Sequence, residues 1–139
     1  MSLNINIIRI IMKTYILLGL LLVLSTSLFT EELINKYSIE VIEEGQEGTE
    51  PKKGDSVEMH YRGELKDGKV FDSSFDRGSP LPLRIGTGQV IVCWDEVGLY
   101  LNVGAKVKVL CPSETAYGSR AIGPIPADSD LIFTIERVK

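Results

Sequence analysis

The sequence predicts an α+β domain of five or six antiparallel strands, with one short helix covering one face of the sheet. Three observations carry that reading. SVEMHYRGEL (56–65), AKVKVLCP (105–112) and DLIFTIERV (130–138) have strand composition, and the second alternates cleanly between apolar and polar residues. VIVCWDEVGLYL (90–101) breaks that alternation and puts Ile91, Trp94, Val97 and Leu101 on one helical face. Glycine and proline punctuate the stretches between, with no internal repeat and no low-complexity tract. A sheet laid over one helix leaves a hollow at the helix end, where an apolar pocket is expected.

Taken in order, YSIEVIEEG (37–45) alternates at Tyr37, Ile39 and Val41 and reads as a half-buried strand, followed by the glycine-bearing loop GQEGTEPKKGD. SVEMHYRGEL and KVFDSSF read as strands joined by a turn at KDG. RGSPLPLRIGTG is a punctuated link in which Leu81, Leu83 and Ile85 alternate, and the helix is placed at residues 93–100. SETAYGSRAIGPIPADS is a long irregular loop before the last strand.

The chain has 139 residues, 44% hydrophobic and 24% charged, which suits one folded domain plus a tail. Residues 1–30 hold Arg9 and Lys13 and no acid, so of 15 basic residues 13 remain against 19 acidic ones, and the net charge moves from −4 to −6. An acidic domain without a basic run has no footprint for nucleic acid. Arg9 and Lys13 precede an uncharged core at 16–24 and the small residues Ser25, Thr26 and Ser27, the layout of a signal peptide over residues 1–27. Met12 could begin a complete signal peptide by itself. Residues 28–38 then read as a short acidic linker and 39–139 as the folded domain. Left uncleaved, the first segment would be a membrane anchor; cleaved, it sends the domain to the endoplasmic reticulum lumen or outside the cell, and TIERVK carries no KDEL-type retrieval signal.

Covalent and metal chemistry find little support. His60 is the one histidine, on a strand where Tyr61 faces the other way, and reads as a surface or satisfied residue. Cys93 and Cys111 have neither C-x-x-C nor zinc spacing, so no metal and no cofactor are expected. GTGQVI (86–91) lacks the third glycine of a dinucleotide fingerprint and reads as a turn. What remains is a set of aromatic and apolar residues with Asp72 and Arg77 among them. Polar groups inside such a set need partners or a pocket that leaves them partly open.

GDSVEMHYRGELKDGKVFDSSFDRGSPLPLRIGTGQVIVCWDE, followed by VGAKVKVLCPSETAYG, resembles the FKBP-type peptidyl-prolyl cis–trans isomerases over about residues 39–138. The resemblance implies a strongly bent antiparallel sheet wrapped around one short α-helix. It implies a pocket with Trp94 as floor and Tyr61, Phe71, Val90, Ile91 and Phe133 as walls. Tyr117 would offer its hydroxyl to a substrate carbonyl, and Asp72, held by Tyr61 and Arg77, would face the substrate amide; Asp72, Tyr117 and Tyr61 are thus the implied catalytic residues. Leu81 stands where many members have an aromatic wall, and Ile125 aligns as a further contact although the loop after AYG is one residue short. Implied partners are proline-containing clients and macrolide inhibitors, met by a monomer. The resemblance also turns Cys111 toward the helix that Cys93 opens, so that the two would form a disulfide or remain two buried thiols.

Overall fold

Ten residues, Ser56–Leu65, form the strand on which the sheet is built (β2), because every second one from Val57 to Gly63 is buried. The computed structural model describes residues 31–139, so the expectation over residues 1–27 falls outside it. The chain divides into two units after Ile34; of the first, residues 31–34 are described and are helical. The second unit, Asn35–Lys139, is the domain.

Its strands are β1 (Glu40–Glu43), β2, β3 (Val70–Ser73), β4 (Leu81–Arg84), β5 (Lys106–Cys111) and β6 (Leu131–Arg137). They form one antiparallel sheet in the order β1-β5-β6-β2-β3, with β4 also paired to β2. β4 takes the first half of β2, from Ser56↔Arg84 to Met59↔Leu81, and β3 takes the second half, with a register shift at Gly63/Glu64. Such a bulge adds local twist and bends the strand. On the other side β2 pairs with β6 from Met59↔Arg137 to Leu65↔Leu131.

Two short helices follow β3 and β4: α1 (Ser74–Arg77) and α2 (Val92–Gly98). α2 lies one or two residues N-terminal of the span read from the sequence. It buries Cys93, Trp94, Val97 and Gly98 against the inner face of the sheet. A Cβ on Gly98 would stand 2.4 Å from Ile85 Cδ1 and 3.2 Å from Met59 Cε, so the closeness of helix and sheet depends on that glycine. Cys93 and Cys111 are bonded through their sulfurs, with Cα atoms 5.7 Å apart, which ties the start of α2 to the end of β5. Among the described residues no helix is long and apolar enough to cross a membrane.

Three local readings differ from the structure. Tyr37 does not open a strand: residues 35–37 are helical, and its ring is wholly buried with the hydroxyl donating to Glu96 at 2.6 Å. β1 is not half-buried, because it is an edge strand exposed along its length, with Val41 and Ile42 about half open to solvent. In addition, KVFDSSF stops being a strand after Ser73. The Ser73 hydroxyl accepts from Asp76 N and Gly78 closes α1 at φ 67°, a left-handed backbone that glycine adopts without steric cost.

Candidate functional site

The pocket forms where α2 begins and the sheet bends away. It has a volume of about 510 Å³ and is lined by Tyr61, Phe71, Asp72, Leu81, Val90, Ile91, Trp94, Tyr117 and Phe133, together with Gly88, Gln89, Val92, Ala116 and Arg120. Trp94 is the floor, 4% exposed. Tyr61 and Phe133 meet it edge to face, with ring centroids 5.0 and 5.2 Å away, and Phe71 meets Phe133 the same way at 5.7 Å. Edge-to-face contacts of this kind hold the rings in fixed relative orientations. The indole N–H is buried without an acceptor among the described residues, so ring contacts hold the floor and a hydrogen bond does not.

Three devices position these side chains. The first is Gly63, which faces Phe133 across the β2–β6 ladder; a Cβ there would stand 2.5 Å from Phe71 Cζ and 2.9 Å from Phe133 Cε1. The second is Asp95 in the first turn of α2, whose carboxylate accepts from the backbone N–H of Gly86 (2.8 Å) and of Gly88 (2.6 Å). That grip folds the 86–89 turn onto the helix and sets Val90 and Ile91 at the pocket edge. The third is Ser74, fully buried at the start of α1, whose hydroxyl accepts from Tyr61 N at 2.7 Å and also meets His60 Nδ1 at 2.9 Å. His60 stacks on Phe75 and takes no part in the pocket lining.

Pinned in this way, α1 delivers Arg77 to Asp72. Arg77 Nη1 donates to Asp72 Oδ1, Tyr61 Oη donates to Asp72 Oδ2, and Arg77 Nη2 donates to Tyr61 Oη at 2.9 Å. Burial works against ionisation of Asp72, but the hydrogen bonds from Tyr61 and Arg77 outweigh it and hold the carboxyl below its ordinary value. Tyr61 moves the other way: burial first, then its bond to Asp72, push the phenol up. Asp72 therefore sits at the pocket wall as a carboxylate already matched by a cation.

Tyr117 follows the 3₁₀ turn Ser113–Thr115 and also lines the pocket, its hydroxyl without a partner among the described residues. The loop that carries it is anchored where Asp130 accepts from Ser113 N at 2.9 Å and from Lys66 at 2.6 Å. Of the residues expected at the site, Arg77 reaches it through Asp72 and is not itself in the lining. Ile125 stays outside: it is 5% exposed and bridges Ile122 within the loop. Gln89 and Arg120 escaped the sequence reading, since polar residues in turns follow no period. Among the described residues no cluster of His, Cys, Asp or Glu could hold a metal.

Fold and site together define a small α+β domain with a pocket floored by an aromatic ring and carrying a few polar groups in its lining. Residues 47–138 match the family model of the FKBP-type peptidyl-prolyl cis–trans isomerases. FK506-binding protein 2 of Gibberella zeae is 47% identical over 128 residues, which cover 91% of this chain and 64% of that protein. FK506-binding protein 1A of Neurospora crassa is 50% identical over 101 residues, 72% of this chain and 84% of the relative. Among solved structures, AtFKBP13 superposes with a TM-score of 0.67 at 40% identity, covering 73% of this chain and 90% of that one. FkpA from Escherichia coli gives 0.66 at 40% identity, covering 73% and 46%. The chain belongs to the FKBP-type peptidyl-prolyl cis–trans isomerase family, and it spans somewhat less than two thirds of the Gibberella relative's length.

Proposed function

We propose that the protein catalyses rotation about X–Pro peptide bonds of client polypeptides in the secretory pathway, and that macrolide inhibitors of the family occupy the same pocket. The observation that carries this reading is the aromatic floor: Trp94 boxed edge-on by Tyr61 and Phe133, with a matched carboxylate and an unpartnered hydroxyl in the lining. A planar amide resists rotation by roughly 18–20 kcal/mol because resonance must be broken. The twisted amide is the less polar form, so the buried aromatic floor favours it over the planar one. The proline ring would lie on Trp94, Tyr117 would donate to a substrate carbonyl, and Asp72 would face the amide. Rotation forms and breaks no covalent bond, so it needs no nucleophile, metal or cofactor.

A signal-peptide reading of residues 1–27 and a disulfide suited to an oxidising compartment support the secretory address. The names of the fungal relatives support macrolide binding. The protein would work as a monomer, reach a membrane only through an uncleaved N-terminal segment, and have no nucleic acid partner. A protease-coupled isomerisation assay on X–Pro peptides tests the activity; a folded protein that accelerates none of them overturns it. N-terminal sequencing of the mature product tests the address, with a start at Leu28 expected and an intact Met1 or Met12 contradicting cleavage.

A further inference from the structure

We propose that Arg120 makes this pocket selective for clients with an acidic side chain next to the proline. The inference rests on the isomerase reading and concerns which substrates that site prefers. Two charged side chains line the pocket, Asp72 and Arg120. Asp72 is already matched by Arg77. Arg120 is exposed, and among the described residues no carboxylate lies within ion-pair distance of its guanidinium, which makes no hydrogen bond either. Its backbone is nonetheless held beside Tyr117, with Arg120 N donating to Tyr117 O at 3.2 Å.

With the Asp72 charge matched from behind the lining by Arg77, Arg120 leaves the pocket wall with one uncompensated cation, in a domain with six more acids than bases over the described residues (19 against 13). A client entering this acidic domain meets a local positive site at the pocket mouth. A guanidinium offers five donors in a fixed fork and matches a carboxylate in two-point contact. A neutral or basic neighbour of proline leaves that fork to water, or repels it. Exposed pairs of this kind contribute about 0.2–1 kcal/mol, which corresponds to a preference of about 1.4- to fivefold.

The test is cis–trans exchange measured by NMR, with no coupling protease, on matched peptides: Glu–Pro against Gln–Pro, and Pro–Glu against Pro–Gln. Gln is isosteric with Glu, so the ratio within a pair reports charge. In the unaltered protein the acidic member of at least one pair is expected to be turned over about 1.4- to fivefold faster, relative to its neutral partner, than in Arg120→Ala. Arg120→Glu should invert the ratio and favour Lys–Pro, and about 0.5 M salt should erase it. Arg120 is exposed and unbonded, so these variants keep the fold, and the ratio within each matched pair cancels any uniform change in turnover. Ratios that do not change between the unaltered protein and Arg120→Ala in either pair overturn the selectivity while leaving the isomerase reading intact. If the protein binds peptides without turning them over, Trp94 fluorescence titration reads the same ratios. A protein that neither binds nor isomerises any X–Pro peptide overturns both readings.

Discussion

The two sides of α2 obey different rules. On the pocket side Trp94 meets rings edge to face, and its polar neighbours are half open: the Asp72 and Arg77 side chains are 42% and 51% exposed, and they pair with each other. On the sheet side everything is dry. Cys93 and Cys111 are wholly buried, Val97 is 1% exposed, and Gly98 lets Ile85 and Met59 press against the helix. The buried charge of the scaffold, Arg137, has no carboxylate partner among the described residues and donates to the backbone carbonyls of Thr49, Leu101 and Lys139. Burial lowers its pKa from the ordinary value. Arg77 is matched by an acid and left wet at the site, whereas Arg137 is spent on backbone carbonyls and buried in the frame.

The largest expected effect comes where the two sides share a residue. Trp94→Ala should cost about 3–5 kcal/mol of stability in chemical denaturation, and should remove substrate binding with it. A variant that unfolds earlier yet keeps its kcat/KM would mean that the ring is frame only.

Next, replacing Cys93 and Cys111 together by alanine should cost about 3 kcal/mol, because the bond closes a loop between residues 18 apart. The same variant should keep kcat/KM at temperatures where it stays folded, since neither cysteine lines the pocket. Two free thiols on titration of the unreduced protein would remove the disulfide from the account.

Smaller effects belong to the pocket wall. Asp72→Leu and Tyr117→Phe should each lower kcat/KM by about tenfold or less, the worth of one hydrogen bond of 0.5–1.5 kcal/mol in a partly wet site. Abolition of turnover in folded Tyr117→Phe would point to a different chemistry. The smallest change is a gain. Leu81 lines the pocket where an aromatic would add edge contacts of 0.5–1.5 kcal/mol, so Leu81→Phe should tighten macrolide inhibition by up to about tenfold. Unchanged inhibition would mean that Leu81 does not touch the ligand.

The contrast between the two sides also explains what could be read from the sequence. The dry frame repeats: alternation in β5 and a four-residue helical stripe marked the sheet and α2, because burial on one face forces a period. The residues implied at the floor and walls, Tyr61, Phe71, Val90, Ile91, Trp94 and Phe133, all line one pocket. Irregular pieces left weaker traces. α1 had a signal that went unread, Ser73 as cap with Asp76 three residues on and Gly78 behind, but four residues are too few for a period. Tyr37 looked like the first residue of an alternating strand, yet its partner is Glu96, fifty-nine residues away. Gly63 could be found only once Phe71 and Phe133 were seen to close over it. Arg120 and Gln89 sit in turns, where only the folded loop shows what they face.

In the proposed reaction an aromatic-floored pocket speeds rotation with no group gaining or losing a proton. Asp72, held below its ordinary value of about 3.9, stays ionised above pH 4, and Tyr61, held above about 10, stays neutral below it. The stability that Asp72 contributes has the same sign: complete above about pH 4 and lost as pH falls through the folded value. The direct test is the pH profile of kcat/KM for a Leu–Pro peptide between about pH 6 and 9. A clear acceleration that stays flat across the range is predicted. No acceleration, or a bell-shaped profile that marks an essential acid and base, would contradict the account.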